Sequence, residues 1–288
     1  VFILGVSVIR SLNMITLDDA IDLIPKSLIR KITSVELISE SNNRAYKLLS
    51  DKREYFLRLD GPSAKHLGVD REKEVKIQKI AADAGFAPQI LFEDYENGTF
   101  LTQSIQGSQW TRGDFQNPKK IISLVELLLK LHSLPLSGFT LNPSEVAHNY
   151  LSNITNDSEY YNFSKKCFDV IKKTQTSENK CFCHNDIHAA NIIQNNSLYL
   201  LDWEYAYDND PMIEIASISV CNNLRKEEES FLLDEYIAGS NTHKGEGYQE
   251  QKRLFEAINF LWLVSHQSIK PARETENLLR AIHNNNLI

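Results

Sequence analysis

Strand-forming segments are concentrated in the first third of this 288-residue chain, and this segregation constrains the fold more than any other feature. Three β-rich runs, ITSVELIS at 32–39, RAYKLLS at 44–50 and EYFLRLD at 54–60, are separated by the turn-forming ESNN and DKRE. Two more strands flank Asn97-Gly98, and Asn-Gly is a strong hairpin signal. Because such short turns join neighbouring antiparallel strands, we expect an antiparallel sheet.

Helical patterns dominate the rest of the chain. DREKEVKIQKIAADAG at 70–85 has apolar residues at helical spacing and ends at Gly85. NPKKIISLVELLLKLHSL at 117–134 predicts a long helix. Its expected apolar face is Ile121, Ile122, Val125, Leu128, Leu129 and His132. We therefore predict an α+β fold, with an N-terminal lobe of sheet and one helix at 1–106 and a mostly helical C-terminal lobe at 107–288.

Composition and charge exclude several classes of protein. With 42% apolar and 24% charged residues the chain is expected to be globular. A net charge of −7 argues against a general nucleic-acid binder, which needs surplus Lys and Arg. The apolar segment VFILGVSVIR at 1–10 is too short to span a bilayer and lacks the basic lead of a signal peptide. We expect a cytoplasmic protein without a membrane span, and the sequence leaves its oligomeric state open.

The four cysteines, at 167, 181, 183 and 221, include no C-x-x-C pair. Cys181 and Cys183 flank a single Phe, which is poor spacing for a structural zinc site. Reduced thiols are the expectation.

The densest set of chemically active side chains lies in CFCHNDIHAANIIQNNSLYLLDWEYA at 181–206. Asp186 and Asn191 lie five residues apart, and Asp202 follows an apolar, strand-like run. Phosphoryl transfer from ATP needs a carboxylate to accept the proton of the attacking hydroxyl. It also needs an amide oxygen and a second carboxylate to hold Mg²⁺.

HNDIHAAN followed by LLDWEYA resembles the catalytic signature of the aminoglycoside phosphotransferase and choline kinase superfamily, relatives of protein kinases. The resemblance implies a bilobal protein-kinase-like fold that uses ATP and Mg²⁺. It also implies that Asp186 is the catalytic base and that Asn191 and Asp202 are the metal ligands.

Two further segments resemble the nucleotide-binding part of that superfamily. EYFLRLDG resembles its third strand, where Arg58 replaces a phosphate-binding Lys and a helix Glu, Glu74 in preference to Glu72, pairs with it. LTQSIQG resembles the hinge whose backbone binds adenine, from Gln103 to Ile105.

The nucleotide loop of the superfamily usually carries glycines, whereas SESNNRAYKL at 39–48 has none. Asn42 or Asn43 tolerates left-handed geometry, so backbone amides there can still cradle phosphate, and Asn43 is the predicted contact.

DWEYAYDNDPMIEIA at 202–216 and INFLWLVSHQSI at 258–269 resemble the small-alcohol kinases that act on choline or thiamine. A quaternary ammonium is bound by aromatic faces and carboxylates. The resemblance offers rings from Tyr205, Tyr207, Trp203 and Trp262 and charge from Glu204 and Asp210. Ser265 stands where the choline-kinase pattern has a second Trp, and Trp262 has the alternative of filling the helical core.

The predicted function is ATP-dependent phosphorylation of the hydroxyl of a small cationic alcohol such as choline or ethanolamine. Thiamine kinase, aminoglycoside phosphotransferase and an inactive kinase-like binding module are the alternatives. His184 is expected to hold its loop by hydrogen bonds and His132 to lie in the core, whereas His188 either approaches the γ-phosphate or is solvated. The run KEEE at 226–229 predicts a solvated helix start.

Overall fold

The computed structural model describes residues 15–40, 43–61, 70–174, 179–240 and 245–266. The apolar N-terminal segment, Asn42 and the residues after 266 lie outside the described residues. The chain divides into two compact units, Val1–Arg71 with Ile90–Ser104, and Glu72–Gln89 with Ile105–Ile288. The lobe boundary between residues 106 and 107 stays a prediction.

The first unit is built on the predicted antiparallel sheet. Its strands are β1 (Ile32–Glu40), β2 (Asn43–Ser50), β3 (Arg53–Asp60), β4 (Ile90–Asp94) and β5 (Thr99–Gln103), in the order β1-β2-β3-β5-β4. The tight turns follow from their residues. Asp51 and Lys52 have positive φ between β2 and β3. Gly98 has φ of +58°, and a Cβ there would lie 2.1 Å from the Asp60 carboxyl group.

A short helix, α1 (Leu17–Leu23), packs in the same unit. Its cap is Thr16, whose side chain accepts a hydrogen bond from the Asp19 amide at 3.1 Å. The buried face of α1 joins the sheet in one apolar cluster, of which Ala20, Leu48, Leu57, Leu59 and Leu101 are fully buried.

The second unit is mostly helical. Its helices are α2 (Arg71–Asp83), α3 (Pro118–His132), α4 (Pro143–Ser152), α5 (Tyr161–Lys173), α6 (Pro211–Cys221), α7 (Lys226–Gly239) and α8 (Tyr248–Ser265). The first residue of α2, Arg71, is assigned to the first unit. Five short strands are β6 (Ser108–Gln109), β7 (Cys181–Cys183), β8 (Ile192–Gln194), β9 (Leu198–Leu200) and β10 (Tyr207–Asn209). Within the described part of the chain, no helix is both long and apolar enough to cross a membrane.

Helix α3 forms the centre of the larger apolar core of this unit. Asn117 caps it, and its buried residues are Ile121, Leu124, Val125, Leu127, Leu128 and Leu131. The inclusion of Ile122 in the buried face was wrong, because its side chain is exposed. Position 122 lies roughly 100° around the helix from 121, outside the stripe that 121, 125 and 128 define.

Candidate active site

The backbone of the second unit brings the predicted catalytic base and the two predicted metal ligands to one place. Strand β7 leads directly into the loop 184–191, and β8 and β9 form a hairpin in which Ile192 opposes Leu200. The Leu201 amide donates to the Asn191 carbonyl at 2.9 Å, which brings the chain that carries Asp202 beside Asn191. Asn191 Nδ2 donates to the Asp186 carbonyl at 3.0 Å and to Asp186 Oδ2 at 3.2 Å.

His184 holds the two sides of this loop together. Its Nδ1 accepts from the Asp186 amide at 3.2 Å, which assigns the ring proton to Nε2, and Nε2 donates to the Leu201 carbonyl at 2.8 Å. Complete burial lowers the pKa of His184, so the ring is neutral. The interpretation of His184 as a loop-holding residue is confirmed.

Glu214 on α6 fixes the start of the loop. One oxygen, Oε1, accepts from the amides of His184 at 2.6 Å and Asn185 at 2.7 Å, and the other contacts His132 Nε2 at 2.5 Å. Burial opposes charge on both partners. Hydrogen bonds to Cys181 and Glu214 nevertheless raise the pKa of His132 to about 10, and His132 holds the pKa of Glu214 below its usual value. The loop is therefore anchored to a buried ion pair.

The sequence analysis missed this role of Glu214. A signal was present, because PMIEIASISV at 211–220 contains one charged residue in an otherwise apolar run. Such a residue is rarely left buried without a partner. His132 is buried as expected, although it is an ion-pair partner and not simply core.

Asn185 and Asp202 both have φ of +63°, in the left-handed region. Asn and Asp adopt this conformation more readily than other non-glycine residues. Hydrogen bonds hold Asn185 there, since its Nδ2 donates to the Tyr207 carbonyl at 3.2 Å and its Oδ1 accepts from Asn209 at 2.9 Å. Side-chain hydrogen bonds to Tyr207 and Asn209 thus fix the residue before Asp186.

The Asp186 carboxylate is half-buried, and His188 Nε2 lies 3.7 Å from it. His188 is also half-buried, so it is neither fully solvated nor part of the core. The imidazole of His188 can therefore steady the orientation of the Asp186 carboxylate.

The donor set at Asn191 and Asp202 fits a magnesium ion. Both hydrogen bonds described for the Asn191 side chain use Nδ2, so the amide oxygen keeps its lone pairs for a cation. An amide oxygen and one carboxylate are hard ligands of the kind that Mg²⁺ prefers.

Just beyond Asp202, Glu204 and Tyr205 form an aromatic and acidic cluster with Tyr150 and Trp262. Burial and the charge of Glu204 raise the pKa of the Tyr205 hydroxyl, with which the Trp262 side chain interacts. The same two causes, with Tyr207, raise the pKa of Tyr150. Trp262 is only half-buried and stacks on His266, with ring centroids 5.0 Å apart.

Three other residues expected near the acceptor are engaged in different ways. Trp203 is fully buried between Phe182 and His184, so its inclusion among the ring donors was wrong. Tyr207 has the Lys73 ammonium 3.5 Å from its ring centroid. The side chain of Asp210 caps α6 by accepting from the Met212 amide at 2.7 Å.

The nucleotide-binding residues predicted in the first unit lie on adjacent strands. Arg58 on β3 lies opposite Ala45 of β2 and Phe100 of β5, and its guanidinium is 4.8 Å from the Phe100 ring centroid. Asn43 Oδ1 accepts from Arg71 Nη2 at 2.6 Å. Gln103 is exposed at the end of β5.

Glu74 and Ile105 belong to the second unit. Glu74 is buried, whereas Glu72 faces solvent and pairs with Lys76 at 2.7 Å, which favours Glu74 as the partner for a functional cation. The pairing of Glu74 with Arg58 stays a prediction.

Comparison with known proteins agrees with this description. Two LicA proteins of Haemophilus influenzae are 29% identical over 210 residues, 67% of this chain and 76% or 60% of their own lengths. Thiamine kinase of Shigella boydii is 33% identical over 73 residues, 25% of this chain and 26% of that protein. The crystal structure of choline kinase LicA from Streptococcus pneumoniae matches with a TM-score of 0.76 and 21% identity, covering 90% of this chain and 96% of that chain.

The fold is therefore the α+β, protein-kinase-like fold that the sequence predicts. Residues 34–252, well over half of the chain, match the model of the phosphotransferase enzyme family. The chain belongs to this family and is a kinase, which confirms the predicted class of enzyme.

Proposed function

We propose that this kinase transfers the γ-phosphoryl group of Mg²⁺-bound ATP to the hydroxyl of a small cationic alcohol such as choline or ethanolamine. The observation that carries the proposal is the aromatic and acidic cluster of Glu204, Tyr205, Tyr150 and Trp262, of which Glu204 and Tyr205 lie just after Asp202 in the chain. The similar crystal structure, which is named choline kinase LicA, supports the same class of acceptor.

In this proposal Asp186 accepts the proton of the attacking hydroxyl. The Nδ2 group of Asn191 orients its carboxylate, and the His184–Glu214 network keeps the loop in place. Asn191 Oδ1 and the Asp202 carboxylate would hold Mg²⁺, which would supply positive charge beside the transferred phosphoryl group. Because the loop is fixed before substrate binds, little reorganisation is needed at the moment of transfer.

The nucleotide side of the proposal keeps Arg58 as a phosphate-binding cation with Glu74 as its partner. Gln103 and Ile105 offer backbone groups to adenine, and Asn43 belongs to the phosphate loop. The Asn43 amide oxygen already accepts from Arg71, so its contribution is through its backbone amide and not through this oxygen.

On the acceptor side, Glu204 supplies negative charge and the Tyr205 and Trp262 rings supply π faces for the ammonium group. A desolvated cation–π contact stabilises a bound cation by about 2 kcal/mol. Asp210 caps the start of α6, and its contact with the acceptor stays a prediction.

Thiamine is the second candidate acceptor, because it combines a cationic ring with a primary alcohol. The match to thiamine kinase over 73 residues favours it. An inactive binding module is disfavoured, since Asp186, Asn191 and Asp202 are all present and adjacent.

An ADP-release assay with Mg²⁺ and ATP over choline, ethanolamine, thiamine and several aminoglycosides tests the proposal, with Asp186→Asn as the matched control. We expect acceptor-dependent turnover with a cationic alcohol in the wild type and its loss in the control. Turnover with aminoglycosides alone would contradict the proposed acceptor, and acceptor-dependent turnover that persists in the control would contradict the assigned base.

A further inference from the structure

A second cluster of chemically active side chains lies behind the catalytic loop. Among the described residues, His132, Cys181 and Cys183 are the group whose ligand atoms all lie within 4.8 Å of one another. The two sulfur atoms are 3.4 Å apart, and Cys183 Sγ is 3.9 Å from His132 Nε2. Nothing in the proposed transfer reaction uses these thiols.

The strand geometry explains why both thiols point to the same place. Residues two apart on a strand face the same side, so β7 directs Cys181 and Cys183 towards α3, where His132 lies. The Cys-x-Cys spacing is poor for a structural zinc site within one segment, but it places two thiols side by side when a third ligand comes from a distant helix.

We propose that His132 Nε2, Cys181 Sγ and Cys183 Sγ form a binding site for a thiophilic divalent cation such as Zn²⁺. Bond lengths of about 2.0–2.3 Å place tetrahedral zinc ligands roughly 3.3–3.8 Å apart, close to the separations here. His132 Nε2 becomes available to the cation when Glu214 Oε2 moves away from its present 2.5 Å contact with this nitrogen.

The surroundings of His132 favour it as a ligand. Its Nδ1 lies 2.7 Å from the buried Tyr236 hydroxyl, which can accept a hydrogen bond from the Nδ1–H group. This hydrogen bond leaves the lone pair of Nε2 for the metal. Metal-binding histidines generally use their second nitrogen in this way.

The two thiols are also suited to metal binding. Both sulfur atoms are 3.6 Å from one acceptor, the Asn209 carbonyl, so the two thiols compete for it. Binding releases three protons, one from each thiol and one from His132, and takes up one divalent cation, so the net charge of the site becomes one unit more negative.

The test uses the full chain, reduced with a phosphine, with Zn²⁺ for affinity and Co²⁺ for spectroscopy. The variant is Cys181→Ser/Cys183→Ser, and Cys167→Ser is the control because Cys167 is a buried thiol in a separate apolar cluster. We expect the wild type and the control to bind one Zn²⁺ and to show a thiolate-to-cobalt charge-transfer band in excess Mg²⁺. The double variant should lose the band and bind Zn²⁺ roughly a hundredfold more weakly.

Zinc should also raise the melting temperature of the wild type and of Cys167→Ser, but not that of the double variant. If the double variant fails to fold, each single Cys→Ser variant should weaken the band. A wild-type cobalt complex without that band, or equal zinc affinity in wild type and double variant, would overturn the site. The site would also be overturned if protein with a Cys181–Cys183 disulfide still failed to bind zinc after the disulfide had been reduced.

Discussion

The loop that carries Asp186 and the cluster around Trp262 lie in the same unit but are built differently. The loop is fixed by fully buried groups, with Glu214 and His184 binding its backbone directly. The cluster consists of half-buried aromatic side chains around the charge of Glu204. The phosphoryl transfer proposed for the loop needs fixed geometry, whereas the proposed acceptor site consists of side chains that can change without unfolding the protein.

The loop should therefore control turnover. Asp186→Asn removes the proton acceptor but keeps the side chain volume, so we expect kcat to fall by about 10²–10⁴-fold with ATP affinity near normal. Asp202→Ala should abolish Mg²⁺-dependent turnover, since it removes a metal ligand. Steady-state kinetics with nucleotide binding by calorimetry measure both. Retention of more than about a tenth of wild-type kcat in Asp186→Asn would remove the base assignment.

The loop should also depend on its buried anchor. Glu214→Gln leaves His132 without its charged partner, and breaking a buried pair typically destabilises a protein by about 3–5 kcal/mol. Denaturant unfolding with a metal chelator present measures this change.

Glu256→Gln on α8 is the matched control. Burial raises the pKa of Glu256 to about 7, so replacing it by a neutral amide should change stability by about 1 kcal/mol or less. Equal effects of the two substitutions would show that the loop has no special dependence on Glu214.

Arg58→Ala tests the nucleotide side, which lies outside both regions. Removal of a charge-assisted phosphate contact should weaken transition-state binding by about 1.5–3 kcal/mol, with a raised KM for ATP and a lower kcat. Unchanged ATP kinetics would contradict the role of Arg58 in nucleotide binding, without bearing on the loop or the acceptor cluster.

The acceptor cluster should show the smallest and most selective effect. Trp262→Ala should raise the acceptor KM roughly thirtyfold, the equivalent of about 2 kcal/mol, and leave the KM for ATP alone. A melting curve is the control, because Trp262 packs on a helical core as well. A lower melting temperature with an unchanged acceptor KM would assign Trp262 to the core.

Local patterns predicted much of this molecule. Short turns predicted that β1, β2 and β3 are neighbours, and the Asn97-Gly98 hairpin predicted that β4 pairs with β5. Asp186 and Asn191 were predicted to lie together because one loop contains both. Contacts between distant segments were not predictable, such as Glu214 with His132, 82 residues apart.

Two of the wrong predictions concerned residues that were expected to be accessible but are buried. Trp203 looked available for a ligand but fills the core, and Glu228, expected to be solvated, is buried and binds Arg112 and Arg225. Spacing along the chain does not show which face of a loop or helix turn meets another element.

The most direct test of the proposed function compares choline with its uncharged carbon isostere, 3,3-dimethylbutan-1-ol, as acceptors for the wild-type enzyme. The two alcohols have nearly the same shape, so the difference in kcat/KM measures recognition of positive charge. We predict that choline is preferred roughly thirtyfold, as one desolvated cation–π contact provides, and that Trp262→Ala removes most of this preference. Equal kcat/KM for the two alcohols would contradict a cationic acceptor site at Glu204, Tyr205 and Trp262.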